Sequence, residues 1–499
     1  MSGFEADFKL NIFTGSEVFG MKQLFLAVLF LSSFGAGSAQ QQNFEIKITF
    51  RPFKNQHIYL GYHYGRQKPI IDSVMLDENS FGVFRGNRAL ERGLYLIGYP
   101  DKSNYFEVFV DKQQQFVIHA DSARLINNIK FENSPDNTLF NEYQQFVSIK
   151  GSEIENAKKQ LAASAHAKDS AKWKEVISKN AEAMQQFRNE FMKKYPDASL
   201  TVLLNIMKEP VVPPAKEHPG GRYDSAFAYR YFKNHFWDDV YFFDERIVRT
   251  PVFEPKLDRY FDELVFPHAD SVIREIDWMM SFATASPEVE KFLLVKFVNR
   301  YLNQKYMWED KVFVHLFEKY FSQKEYTWLS QKGKKTIFDR AYSLMANLFG
   351  NAASDIELPD SAGKLQRLYA VDSPYVLVCF WDPACSHCKE TLPRIDSVYR
   401  SKWQKSGVGI FAVAKESDLG KSEWKKFISE HHLSDWVHVY YSKSEENARI
   451  SAGIPGYMQL YDVLSVPTLY LLDKEKRIIA KKIPYEQMDE VLQFKLKGQ

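Results

Sequence analysis

The hydrophobic period changes twice along this chain, which limits it to an architecture of several domains. From Phe44 to about Ala120 apolar and polar residues alternate, as in Phe44, Ile46, Ile48 and Phe50 with Glu45, Lys47 and Thr49 between them. A period of two sends successive side chains to opposite faces of a strand. Short runs of the same kind recur at Ile58-Tyr59-Leu60, Leu94-Tyr95-Leu96, Phe106 to Val110 and Phe116-Val117-Ile118, with turn-formers such as Pro100-Asp101 between them. The pattern predicts an antiparallel β-sandwich or small barrel over residues 42–136.

From about residue 137 to 350 the period becomes helical. Trp173, Ile177, Met184, Phe187 and Phe191 recur at helix spacing and stop before Pro196. Asp197 is then placed to cap a helix through Leu200, Leu203, Leu204 and Met207, Ser286-Pro287 to start another, and Asp310 a third. Pro210 to Arg222 reads as a loop. The aromatic stripes predict packing between helices in an all-α domain.

Over residues 351–499 strands alternate with helices, which implies a mainly parallel sheet. The predicted order is a strand Val376 to Trp381, a helix from Cys385 to about Lys402, a strand Val408 to Ala414, a helix Lys421 to His431, a strand Val437 to Tyr441, and a terminal hairpin of Pro467 to Asp473 with Arg477 to Lys481. At 499 residues the chain exceeds one core, and domains of about 100–200 residues give three. The 65 basic and 63 acidic residues nearly cancel, so no long-range field argues for nucleic acid or an anionic membrane.

The most explicit chemical signal is Cys385-Ser386-His387-Cys388, where the apolar strand meets the next helix. Unpaired amide groups and the positive end of the helix dipole favour thiolate over thiol there. A zinc site needs about four ligands, and the chain has three cysteines, the third being Cys379 inside the strand. His431 and His432 are adjacent, so on a helix they point about 100° apart. The reading is therefore a redox dithiol, with a zinc site or a coincidental pair as its alternatives, and no metal or cofactor is expected.

Met21-Lys22-Gln23, the apolar Leu24 to Leu31 and the small residues up to Ala39 form the pattern of a cleaved signal peptide over residues 21–39, with Met21 as the expected start of translation. The apolar stretch is shorter than the roughly 20 residues of a membrane span. With no cysteine at the cleavage site, no lipid anchor is expected, and the membrane enters only through export. The expected location is the periplasm or cell envelope.

The C-terminal third resembles the thioredoxin superfamily, specifically the exported TlpA/ResA-like thiol-disulfide oxidoreductases. The resemblance rests on Phe380-Trp381 before the motif, Cys385-Ser386-His387-Cys388-Lys389, Pro393 in the following helix, and Ser465-Val466-Pro467-Thr468 ahead of a strand. It implies a thioredoxin-like fold, a cis Pro467 beside the thiols, and Val466 offering backbone to substrate. Cys385 would be the nucleophile and Cys388 the resolving thiol, with His387 and Trp381 in support. His387 resembles the histidine of the DsbA motif; its alternative reading is a solvent-facing helix residue. The β and helical regions, with Arg249-Thr250-Pro251-Val252-Phe253 and Met307 to His315, look like accessory domains found ahead of the redox domain in large secreted relatives.

Two departures follow. Cys379 stands where cytosolic thioredoxins carry a buried Asp, and a buried neutral thiol is a poor proton shuttle. ResA-like members place a Glu three residues after the second cysteine, whereas Thr391 is there and Glu390 lies one earlier. Glu390 is thus the candidate shuttle, against a solvated carboxylate near the helix N-terminus. The implied partners are protein thiols or disulfides and a redox partner that recycles the dithiol. The rival functions are a thiol peroxidase and a non-enzymatic envelope binding protein with a structural disulfide.

Overall fold

The computed structural model describes residues 43–123, 125–164, 167–418 and 420–497. The segment read as a signal peptide lies outside the described residues. Two compact units emerge, one of residues 43–266 with Arg274–Leu293, the other of Pro267–Ile273 with residues 294–497.

The first unit begins with β1 (Phe44–Arg51), β2 (His57–Tyr62), β3 (Ile70–Met75), β4 (Phe81–Gly86), β5 (Gly93–Gly98), β6 (Tyr105–Val110) and β7 (Gln115–Asp121), then a one-turn helix α1 (Leu125–Asn128) and β8 (Lys130–Glu132). They form two four-stranded sheets, ordered β4-β1-β7-β8 and β3-β2-β5-β6. Alternate residues of both sheets, including Ile46, Ile48, Phe50, Ile58, Leu60, Ile97, Val108 and Ile118, close one core between them. This is the sandwich rather than the barrel. The expectation of a purely antiparallel arrangement fails at one place, because β7 lies parallel to β1. Strands so distant in sequence have their direction set by the path through the second sheet, which the alternation does not encode.

The helical part continues with α2 (Pro135–Ala163) and α3 (Ala167–Lys194), a long hairpin, then α4 (Ser199–Met207), α5 (Ser225–Asn234) and α6 (Phe253–Arg259). Leu94 of β5 and Phe109 of β6 turn to the outer face of the sandwich and pack with Phe140, Tyr143, Phe191, Leu200 and Leu204. The side chain of Asn137, fully buried at the start of α2, accepts from Phe109 N at 2.7 Å and donates to Phe109 O at 2.8 Å. It thereby satisfies the free backbone of β6, an edge strand that would otherwise be buried unpaired.

Two cap assignments are corrected. The N-cap of α4 is Ala198, without a side-chain bond, while the carbonyl of Asp197 accepts from Arg246. The Arg249 segment is structural in its contacts. The Arg249 guanidinium stacks 4.6 Å from the Tyr62 ring centroid and donates to Glu288 at 2.8 Å. Its side chain lies so close to Gly93 that a Cβ there would fall 2.3 Å from the Arg249 Cβ. Residue 93 therefore has to be glycine.

After α7 (Ala269–Ala283) and α8 (Pro287–Tyr301), the second unit carries α9 (Glu309–Leu316) and α10 (Gln331–Met345), the short β9 (Glu357–Pro359) and β10 (Leu365–Arg367), and then the α/β fold. This consists of β11 (Tyr375–Trp381), α11 (Ser386–Val398), β12 (Val408–Lys415), α12 (Gly420–Glu430), β13 (Val437–Tyr441), α13 (Lys443–Ser451), α14 (Tyr457–Leu460), β14 (Thr468–Leu472), β15 (Ile478–Lys481) and α15 (Tyr485–Lys497). The sheet order is β13-β12-β11-β14-β15, with β11, β12 and β13 parallel and the last two strands antiparallel. The helix expected to run to Lys402 ends at Val398 and continues as one wider π turn through Trp403.

The cap of α9 also differs from the reading of Asp310. Trp308 is the N-cap, and Asp310 is buried in an ion pair with Lys481 at the end of β15. Lys481 also donates to the backbone and side-chain oxygens of Asn347 at 2.6 and 2.8 Å. Arg340 of α10 reaches Asp462 at 2.5 Å. Residues upstream of the α/β fold are thus fastened to it by buried, paired charges.

Candidate functional site

β11 runs through the middle of the sheet with every residue buried. Its alternation divides two cores: Tyr375, Leu377, Cys379 and Trp381 share one with Cys388, Leu392 and Ile395 of α11, while Val376, Val378 and Phe380 face the other. Cys379 therefore lies on the same side of the sheet as the dithiol, and Trp381 sits fully buried with its ring 5.2 Å from Phe427.

Asp382 ends the strand and shapes the turn. Its Oδ1 accepts from Ala384 N at 2.7 Å and its carbonyl from Cys385 N at 3.0 Å, so the chain reverses through Pro383 directly into a helix. Cys385 is the N-cap of α11, with extended backbone, and its Sγ accepts from Cys388 N at 3.4 Å. A sulfur occupies the place where a Ser or Asp oxygen usually takes the N3 amide. Negative charge on that sulfur receives both the amide and the positive end of the helix dipole.

The two thiols differ in surroundings. Cys385 is half-buried, whereas Cys388, one turn further, is wholly buried. Burial holds the Cys388 thiol well above the usual cysteine range; a backbone hydrogen bond at Asp382 pulls the other way, and the Cys385 sulfur adds to the rise. Burial also pushes the Cys379 thiol up to about 12. All three cysteines are free in this structure.

The Val466–Pro467 peptide bond is cis. The Cys385 thiol donates to the Val466 carbonyl across 3.7 Å, and Thr468 Oγ1 donates to Ser465 O at 2.5 Å. Cys385, Cys388, Val466 and Pro467 are therefore brought together. His387 is exposed beside them on the first turn of α11. Glu390 is not brought to Cys388: it is exposed, two residues on and so about 200° around the helix from the buried thiol. Among the described residues no group of three or more His, Cys, Asp or Glu is placed to hold a metal ion.

Asp382 escaped the sequence reading, although an Asp-Pro pair between an apolar run and a helix is a turn signal. So did α13, whose Ser442 and Glu445 form a reciprocal capping box. The S-x-x-E spacing announces such a helix.

A five-stranded sheet with a C-x-x-C pair at the start of the helix after its central strand, and a cis-proline loop against the first sulfur, defines a thioredoxin-like protein. Residues 373–478 match the family described as thioredoxin-like, and residues 181–346 match a domain of unknown function, DUF5106. Residues 373–478 are thus thioredoxin-like, in keeping with the TlpA/ResA-like resemblance of the motif residues. A domain of a possible thiol-disulfide isomerase from Cytophaga hutchinsonii is 31% identical over 30% of this chain and 97% of its own, with a TM-score of 0.26. The thioredoxin domain of a thiol-disulfide oxidoreductase from Bacteroides vulgatus is 27% identical over 28% of this chain and 96% of its own, with a TM-score of 0.24. A thioredoxin-like protein from Bacteroides caccae is 19% identical over 57% of this chain and 99% of its own, with a TM-score of 0.42. No curated protein matches the sequence. Among the described residues no helix is long and apolar enough to cross a membrane.

Proposed function

We propose that this protein is an exported thiol-disulfide oxidoreductase acting on protein thiols or disulfides through Cys385 and Cys388. The observation that carries the reading is the position of the Cys385 sulfur: half-exposed, at the N-cap of α11, and 3.7 Å from the Val466 carbonyl of the cis-proline loop. A disulfide laid along Val466 meets that sulfur first.

In the reducing direction, the Cys385 thiolate attacks one sulfur of a substrate disulfide. That S–S bond breaks, and the other substrate sulfur leaves as thiolate. The released substrate thiolate takes the proton that burial holds on Cys388, and the Cys388 thiolate then attacks the Cys385 sulfur of the mixed disulfide, expelling the second substrate sulfur as a thiolate that water protonates. The products are a substrate dithiol and a Cys385–Cys388 disulfide, two electrons having moved to the substrate. A partner dithiol restores the reduced pair, and the same steps reversed oxidise a substrate. His387, exposed between the two cysteines, is the supporting residue of this reading. Glu390, facing solvent, has no place in the step at Cys388.

The division into a signal peptide (21–39), a β accessory domain (42–136), a helical domain (137–350) and a redox domain (351–499) belongs to the same proposal, as does the periplasmic or envelope location. Insulin-disulfide reduction with dithiothreitol as electron donor tests the activity. The wild-type protein accelerates it, and Cys385→Ser removes the acceleration; peroxide consumption in place of insulin reduction would overturn the reading.

A further inference from the structure

Beside the cis-proline loop the second unit holds two adjoining cavities of about 1090 and 810 Å³, and Asn303, Arg340 and Leu464 line both. Leu464 is 81% exposed, a large apolar side chain left in solvent immediately before Ser465-Val466-Pro467. Its neighbour but one, Val466, is the residue whose carbonyl meets the Cys385 sulfur. Two residues of extended chain cover about 7 Å, so Leu464 and the cavity it lines lie within reach of a polypeptide bound along Val466.

The far wall of that cavity comes from Asn303, Lys305, Tyr306 and Arg340, all upstream of the residues that match the thioredoxin-like family. Tyr306 is 60% exposed and stacks on Trp308 with the rings 4° from parallel, a flat apolar face at the rim. The cavity is lined by four cations, Lys305, Arg340, Lys481 and Lys482, against two carboxylates, Asp310 and Glu490. Asp310 is consumed by Lys481, and Asp462 answers both Arg340 and Lys482 with one carboxylate. Asp462 and Glu309, the latter accepting from the Lys305 and Tyr306 amides, lie outside the lining, which itself carries four cations to two carboxylates.

We propose that this cavity seats the stretch of a protein substrate that flanks its reactive cysteine, and that it selects a flank carrying acidic side chains. The proposal rests on the oxidoreductase reading above and adds a substrate class to it. The helical residues supply one wall of the substrate site, so specificity is read outside the thioredoxin-like fold while the chemistry stays within it. A carboxylate in the cavity answers the surplus cation, and an apolar neighbour covers Leu464 and Tyr306.

The test uses the full chain carrying Cys388→Ser, so that the reaction halts at the mixed disulfide. Two peptides are compared, each with one cysteine activated as its thionitrobenzoate disulfide, one flanked by two Glu and the other by two Gln. Hydroxyethyl disulfide, too small to reach the cavity, is the third probe. The Glu peptide is expected to react about tenfold faster than the Gln peptide, the ratio of roughly one charge-assisted contact. Asn303→Glu with Lys305→Glu, both exposed positions, should bring the two peptides within about twofold of each other and leave the hydroxyethyl disulfide rate unchanged. Equal rates for the two peptides on the unaltered wall, or a preference that survives both charge changes, would overturn the proposal while leaving the oxidoreductase reading standing. Failure of all three probes to react would overturn the oxidoreductase reading itself, and this proposal with it.

Discussion

The burial difference among the three cysteines predicts that an alkylating reagent will find one of them. Cys379 is fully buried with its thiol pushed up to about 12. At pH 8 its thiolate fraction is then about one in ten thousand, against about one in four for a free cysteine with a pKa of ~8.5. Ionisation alone slows its alkylation about two-thousandfold relative to a free cysteine, before access is counted. Cys388 is held above the usual range in the same way, first by burial, so its labelling is slow and rises about tenfold for each pH unit between 7 and 9. Cys385, half-buried with its sulfur at the head of α11, is the reactive one. Iodoacetamide treatment of the reduced native protein, quenched over time and read by peptide mass mapping, measures all three rates in one sample. Labelling of Cys388 within tenfold of Cys385 at pH 7, or a Cys388 rate flat between pH 7 and 9, would refute the claim that burial keeps the second thiol protonated.

Two further predictions concern stability. Asp310→Ala leaves the Lys481 ammonium, 4% exposed, without its carboxylate, and should cost about 3–5 kcal/mol in urea unfolding of the second unit; Asp310→Leu with Lys481→Met should recover most of it. A loss below about 1 kcal/mol would show that the pair does not fasten α9 to β15. His438 donates through Nε2 to the Leu433 carbonyl at 2.8 Å, and burial lowers it to about 4. The unfolded chain binds a proton there that the native protein refuses, so stability is lost as pH falls from about 6.5 towards 4, by about 2 kcal/mol at pH 5. His438→Gln should flatten that slope in chemical unfolding at pH 7 and pH 5, and an unchanged slope contradicts the assignment.

The site was legible wherever its logic is local. The seven apolar residues Tyr375–Trp381 announce a strand buried on both faces, and two thiols at the next helix start follow from position alone. Pro467 could be joined to them only by resemblance, because nothing local says that distant segments meet. The misreadings share that cause. Asp310 looks like a helix cap until Lys481 is folded against it, and Asp197 like one until Arg246 takes its carbonyl. The parallel pairing of β1 with β7 depends on chain path, which alternation does not carry. Glu390 is a candidate shuttle only through the resemblance, one residue short of the ResA-like position, and it stands exposed while Cys388 is buried. The wall formed by Asn303, Lys305 and Tyr306 had no local signature, since a loop between two helices gains meaning only from what it faces.

The central claim is that Cys385 makes the first bond to substrate and Cys388 releases it. Cells expressing the full chain with Cys388→Ser, quenched in acid and analysed without reductant, should yield protein partners joined through Cys385 and freed by dithiothreitol, with none from the double variant Cys385→Ser, Cys388→Ser. Recovery of no mixed disulfide, or of partners that survive loss of Cys385, would contradict it.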